Sequence, residues 1–218
     1  MTSKPWSDAL TSGLRRLNAR HPWSHNDHFH SWILANLPEP CNAVLDVGCG
    51  RGELLAVLAP HVGSVIGSDI DVTMRQEASR RCAGLPTVSV VDKPWTQLEG
   101  PFDAVTMLAV LHHLDLPEAL RAVRRLLVTG GRFLAVGLAA PRSLRDYLWD
   151  ATSVVTNPLI GYVKHPWPSR AGVQDPPFPV RDPTLSFDEL RKAVIDGMPG
   201  ATLRHHLAFR HTIAWTKP

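Results

Sequence analysis

Ala43 to Gly52 reads AVLDVGCGRG. The first five residues, apolar except for Asp46, have the length and character of a buried strand. Gly48, Gly50 and Gly52 follow at once, and Glu53 to Ala59 (ELLAVLA) then reads as a helix ended by Pro60 and Gly63. Strand, glycine turn and helix in that order predict the first unit of an α/β sheet, in which ligands sit beyond the carboxyl ends of the strands. Glycines there let the backbone approach a ligand that a Cβ would hold off.

The units that follow repeat this rhythm. Ser64 to Ser68 (SVIGS) is a second strand ending at Asp69, and a helix runs from about Val72 to Ala83. Asp71 is its N-cap and Gly84 its stop. Thr87 to Val91 is a third strand ending at Asp92, and Phe102 to Val110 (FDAVTMLAV) a fourth, running into Leu111-His112-His113-Leu114. Asp115-Leu116-Pro117-Glu118 opens the next helix with an acid at the N-cap, Pro in the first turn and Glu at N3. Ala119, Leu120, Val123, Leu126 and Leu127 form its apolar side, and Arg121, Arg124 and Arg125 its solvated face. Gly130-Gly131 turns into a fifth strand, Arg132 to Leu138. Alternation of this kind predicts an open, mostly parallel sheet covered on both faces, wound by right-handed crossovers.

The flanks differ. Residues 8–20 and His25 to Leu37 suit two helices, the second stopped by Pro38 and Pro40, so that 1–40 forms an N-terminal helical cap on the 41–140 core. From 141 to 185 the rhythm breaks. Pro158, Pro166, Pro168, Pro176, Pro177 and Pro179 alternate with Tyr147, Trp149, Tyr162, Trp167 and Phe178. So long a loop inside a compact domain is usually functional, and its aromatics predict a packed lid. Residues 186–218 complete the core. A capping box from Ser186 to Glu189 starts a helix. Two strands near Leu203 to Leu207 and Phe209 to Trp215 are joined too tightly for a crossover and predict an antiparallel edge hairpin.

Composition narrows the function. The 218 residues, 44% hydrophobic and 20% charged, suffice for one compact domain. The net charge is only +3 and no run of Lys or Arg exceeds two residues, so no nucleic-acid footprint stands out. Three cysteines without a C-x-x-C pair argue against a disulfide framework and for a reducing compartment. The N-terminus lacks a signal-peptide apolar region, and no apolar run approaches the ~18 residues of a membrane span. A soluble, cytoplasmic protein is expected.

The glycine loop has the wrong spacing for a dinucleotide. It reads G-x-G-x-G, with Glu53 where G-x-G-x-x-G would place its last glycine. Glu53 also puts an anion in the first turn of the helix, where a phosphate would otherwise bind. A P-loop Gly-Lys-Ser/Thr is absent. Asp69, at the end of the second strand, can accept both hydroxyls of a ribose, and Asp92, at the end of the third, an exocyclic amine of adenine. Together they suit a nucleoside without a phosphate.

DVGCGRG, the GSD at the second strand end, the acid after the third strand and FDAV…LHHL resemble the class I S-adenosylmethionine-dependent methyltransferases, especially the small-molecule branch. HNDHFHSWIL and the C-terminal WTKP are similar to bacterial, often actinobacterial, members. The resemblance implies a Rossmann-like, doubly wound, seven-stranded α/β sheet with an antiparallel C-terminal hairpin, and S-adenosyl-L-methionine as cofactor. It assigns Asp46 and the Gly48, Cys49 and Gly50 backbone to the methionine moiety, Asp69 and neighbouring Ile70 to the ribose side, and Asp92 with Lys93 to the adenine. Met107 and Leu108 would line the pocket near the sulfonium.

The acceptor side stays open. His112 and His113 stand at the methyl-donor end, where a histidine is either a general base or a scaffold residue. His25, His28 and His30 lack a third well-spaced ligand, so no metal is expected. His28 or His30 instead folds over the cofactor pocket, or lies on a surface helix. Cys49 is a small buried residue before it is a nucleophile, while Arg80 and Arg81 predict a lowered pKa for Cys82. Methyl transfer by in-line displacement to a small organic acceptor, O- or N-centred and of secondary-metabolite type, is the favoured chemistry. A cyclase-like enzyme on the same fold and a non-enzymatic binding module are the rival readings. A nucleic-acid enzyme would carry an N-P-P-Y-type motif where Ala109-Val110-Leu111 stands.

Overall fold

The computed structural model describes residues 27–142, 182–206 and 210–218. Seven strands form one sheet in the order β3-β2-β1-β4-β5-β7-β6. They are β1 (Ala43–Val47), β2 (Ser64–Ser68), β3 (Val88–Val91), β4 (Phe102–Leu108), β5 (Leu127–Gly137), β6 (Thr202–His206) and β7 (Arg210–Thr216). The first five run parallel, and β7 pairs antiparallel with both β5 and β6. The expected α/β sheet and edge hairpin are therefore present. Helices α1 (His30–Leu34), α2 (Glu53–Leu58), α3 (Val72–Arg81), α4 (Leu116–Leu126) and α5 (Phe187–Gly197) flank it.

Alternation along the strands sorts their residues onto two faces. Leu45, Val105, Met107, Phe133 and Trp215 pack under α4 and α5. Val44, Val65, Ala104 and Leu134 pack on the other face with Ile33 of α1, Leu55 of α2 and Ala78 of α3. The helix starts follow their caps. Asp71 accepts from Thr73 and Met74 N–H, Asp115 from Glu118 N–H, and both bonds of the Ser186–Glu189 capping box form.

Several details depart from the sequence reading. β4 stops at Leu108, short of Val110, because Ala109 turns into the left-handed region (φ 57°). β5 begins at Leu127, five residues before Arg132, and its register to β4 slips between those two residues. The three arginines of α4 are exposed, as the sequence reading has them, and two of them also reach neighbouring backbone. Arg124 donates to the Gly197 carbonyl at 2.8 Å, and Arg125 to those of Thr96 and Leu98 at 2.7 and 3.3 Å. They tie α4 to α5 and to the single 3-10 turn, Trp95–Gln97, that links β3 to β4.

The 8–20 helix and the aromatic residues of the expected lid lie outside the described residues. The two ends of that insertion meet. Ala140 N–H donates to the Leu185 carbonyl at 2.8 Å, and Arg142 bridges the Thr184 carbonyl and Glu189 at 2.7 and 3.0 Å. The insertion thus leaves and returns past the carboxyl end of β5. No described helix is long and apolar enough to cross a membrane.

Trp215 is buried, and its indole N–H donates to the Pro199 carbonyl at 3.0 Å. Trp215→Ala is expected to cost about 3–5 kcal/mol in urea unfolding. A loss below about 1 kcal/mol would contradict the packing described.

Candidate active site

The glycine loop is fastened to the end of β2. The Ser68 carbonyl accepts from the Gly48 and Cys49 N–H groups at 2.7 and 3.2 Å, and Asp69 Oδ2 accepts from Gly50 N–H at 2.9 Å. Gly48 sits at φ +68°, and a Cβ there would stand 2.2 Å from Val110 Cγ2. Any larger residue would push the chain after β4 off the loop. Asp69 Oδ1 accepts from Asp71 N–H at 2.9 Å. Each carboxylate oxygen keeps a second lone pair for a hydroxyl.

Asp46 lies below the loop on the α1–α3 face, 2% exposed, accepting from the Thr106 hydroxyl at 2.7 Å. Burial pushes its carboxyl up to about 7. The Thr106 bond opposes that rise, and the charges of Asp69 and Glu53 add to it. Glu53 itself pairs with Arg81 at 2.9 Å.

On the other side of the loop, Ile70 is 95% exposed. Asp92 is exposed and ion-pairs with Arg75, and Lys93 is exposed, its carbonyl accepting from the Ser68 hydroxyl at 3.0 Å. Val72, Arg75, Val91 and Asp92 line part of a groove of about 530 Å³ between α3 and β3, beside the glycine loop rather than over it. Of the two residues expected near the sulfonium, Leu108 is half-buried, but Met107 has no exposed surface and packs in the core beneath α4 and α5. That face is opposite Asp46, so Met107 supports the strand end and does not line a pocket.

His112 and His113 follow β4 in a 3-10 turn, their ring centroids 4.0 Å apart. Burial lowers His112 to about 4, with the charges of His113 and Arg210 adding to the effect. The ring is therefore neutral at physiological pH. His28 meets Phe29 edge-on, and Phe29 in turn meets His206 of β6, so His28 stands beside the hairpin. His30 is buried on the same side of α1 as Ile33. Burial holds the Cys49 thiol well above its usual range, and its sulfur packs over Gly67. Cys82 reverses its expectation, since burial raises its pKa more than Arg81 lowers it. Among the described residues no group of three or more His, Cys, Asp or Glu could hold a metal.

A methyltransferase-domain family model matches residues 44–131. An uncharacterized methyltransferase of Mycobacterium tuberculosis is 35% identical over 205 residues, covering 90% of this chain and 98% of the relative. This chain belongs to the class I S-adenosylmethionine-dependent methyltransferases. The nocamycin O-methyltransferase of Saccharothrix syringae is 39% identical over 122 residues, 50% of this chain and 42% of that protein. The fold matches a methyltransferase structure from Aquifex aeolicus with a TM-score of 0.59 at 15% identity, covering 95% of this chain and 98% of that one.

The methyltransferase takes S-adenosyl-L-methionine as cofactor, and its residues fit that group. A glycine loop with no room for a Cβ at Gly48, a buried carboxyl at Asp46, a carboxylate at Asp69 with lone pairs left for hydroxyls and the exposed Ile70 beside it are compatible with that group. One contributor to the site, and one to the strand beneath it, escaped the sequence reading. Arg75 donates to the carbonyls of Asp69 and Ile70 at 2.8 and 3.1 Å while it pairs with Asp92, joining the loops after β2 and β3. Asp103 accepts from the Asn42 and Ala43 N–H groups at 2.8 Å each and fixes the start of β1. Arg75 reads as an ordinary charge in a polar helix, and only the register of α3 over β3 reveals it. The FDAV motif did contain Asp103.

The Asp46 carboxyl is raised from 3.8 to about 7, so the folded state holds this proton longer than the unfolded chain. Its contribution to stability is present below the unfolded pKa and is lost as pH rises through the folded one. Asp46→Asn removes that loss. The stability of the variant over wild type is expected to grow from pH ~4 to pH ~8, to the order of a few kcal/mol. The buried histidines titrate with the opposite sign but cancel in this difference. Equal pH dependence of unfolding in the two proteins would contradict the assignment.

Proposed function

We propose that this methyltransferase acts on a small organic molecule, through O- or N-methylation in the manner of a natural-product tailoring enzyme, and that it works in the cytoplasm without nucleic-acid or membrane partners. The observation that carries this reading is the chain just past β4. Ala109 in the left-handed region bends it so that Val110 caps Gly48 and His112 and His113 follow at the strand end. A short turn bearing two imidazoles stands where a base-reading enzyme would carry N-P-P-Y. The printed name of the Saccharothrix relative, an O-methyltransferase, supports the same class. The meeting of the insertion's ends beside β5 supports a lid over the acceptor.

The bound cofactor supplies an activated methyl group on a sulfonium. The Gly48–Gly50 backbone and Asp46 hold its amino-acid end, Asp69 and Ile70 its ribose side, and Asp92 and Lys93 its adenine. Leu108 closes the site from β4, and His28 or His30 borders it from the N-terminal segment. The protein then has two remaining tasks, alignment and the exclusion of water. His112 or His113 takes a proton from the acceptor where it carries one.

Release of S-adenosylhomocysteine across a panel of phenols, carboxylic acids and amines tests the reading. At least one small acceptor is expected to turn over. His112→Gln or His113→Gln is expected to lower kcat ~100-fold or more with little change in KM for the cofactor. An unshifted histidine base would halve the rate near pH ~6.5. With His112 held near 4, the rate is expected to persist below that pH. Full kcat and an unchanged pH profile in both variants would sink the base assignment.

A further inference from the structure

The C-terminal hairpin brings a second set of basic groups to the acceptor end of the sheet. β7 runs antiparallel to β5, with His211 opposite Gly137, the last residue of β5. The start of β7 therefore lies where the parallel strands end, beside the turn that carries His112. Alternation puts His211 on the α4–α5 face and Arg210 on the other. His211 is 2% exposed, and its ring lies so close over Gly137 that a Cβ there would meet Nε2 at 2.6 Å. His205, opposite it on β6, stacks on Phe187 with centroids 3.6 Å apart. His206 Nε2 hydrogen-bonds Thr212 Oγ1 at 2.9 Å.

Two imidazole nitrogens in this cluster are buried without a hydrogen-bond partner among the described residues, Nδ1 of His112 and Nε2 of His211. Leaving such a group unsatisfied is costly in a folded protein. Two together, at a strand end next to both anchors of the insertion, mark a place for a polar ligand group. The charges that act on His112 come from His113 and Arg210, and those on His211 from His205, Arg210, His112 and His206. All are basic. Burial lowers Arg210 to about 10, which leaves it a cation at neutral pH.

We propose that His112, His211 and Arg210 form an acceptor subsite for an oxyanion, and that the methylated group is an acidic oxygen, a carboxylic acid or an enol of similar acidity. This rests on the small-molecule reading above and narrows it. The proton balance favours the same class. His112, near 4, exchanges a proton evenly only with an acid of similar strength. A phenol of pKa ~10 would give up its proton to it only against an equilibrium unfavourable by about six orders of magnitude. In the step itself the acceptor oxygen forms the O–CH3 bond. The CH3–S bond breaks with its electron pair left on sulfur, and the acid has already given its proton to solvent at neutral pH, where His112 also stays unprotonated. A carboxylate and a sulfonium become a neutral ester and a neutral thioether, so the charge that Arg210 attracts disappears on transfer and the product is released from it.

The test uses the full chain saturated with S-adenosylhomocysteine. Benzoate, 2-naphthoate and decanoate are titrated against their carboxamides by calorimetry, and methyl-ester formation from each acid is followed by mass spectrometry with S-adenosylmethionine. At least one acid is expected to bind about tenfold or more tighter than its amide, a charge-assisted contact against a neutral one, and to gain a methyl group. Arg210→Gln is expected to erase the preference for the acid and Arg210→Lys to restore part of it. Binding of S-adenosylhomocysteine shows that a variant is folded. Where Arg210→Gln does not fold, His211→Gln is measured in its place and is expected to weaken the acid selectively. Acids that bind no better than their amides, or not at all, overturn the proposal, as does a preference that survives in the folded variants. Turnover of a neutral amine or alcohol beside such a result would leave the small-molecule reading standing and remove only the acidic acceptor.

Discussion

The end of β2 holds the cofactor side of the site together. One residue, Ser68, takes two N–H groups of the glycine loop on its carbonyl and grips the Lys93 carbonyl with its hydroxyl. The next, Asp69, takes a third loop N–H on its carboxylate. From the other side, Arg75 gathers the carbonyls of Asp69 and Ile70 and the carboxylate of Asp92. Three loops from three strands are thereby fixed to two adjacent residues. A carboxylate that accepts backbone N–H groups is already oriented before a ligand arrives, so less ordering remains for binding to supply.

The proposed cofactor and acceptor sides are built from different materials. The cofactor half is backbone and carboxylate, drawn from β1, β2 and β3. The other half is imidazole and guanidinium, drawn from the turn after β4 and the hairpin of β6 and β7. Ala109 is the joint between them. A left-handed alanine costs roughly 1–2 kcal/mol, and it is retained here because its N–H donates to the Val136 carbonyl at 2.7 Å while Val110 seats on Gly48. The strained residue thus fixes the histidine pair relative to the glycine loop.

Most of the architecture was legible in the sequence because its signals are local. AVLDV before three glycines, acids at the ends of β2 and β3, and caps at Asp71, Asp115 and Ser186 each depend on a few neighbouring residues. What escaped depends on register between distant elements. Met107 belongs to a pocket or to the core according to which way β4 faces, and a nine-residue apolar run such as FDAVTMLAV does not reveal that. Arg124 and Arg125 do lie on a solvated face, but the carbonyls of α5 and of the β3–β4 link that they reach are not legible from α4 alone. The sequence neighbours of Cys82 are basic, but its burial decides its pKa. The basic cluster of the hairpin was invisible for the same reason, since only the β5–β7 register brings His211 to the strand ends.

Calorimetric titration of S-adenosylhomocysteine into wild type and Asp69→Ala tests the central claim most directly, that the end of β2 organises the cofactor site. Saturable one-to-one binding is predicted for wild type. Asp69→Ala is predicted to weaken it by about 100-fold, the loss of two hydrogen bonds to a charged acceptor. No saturable binding by wild type, or equal affinity in the variant, would contradict the account.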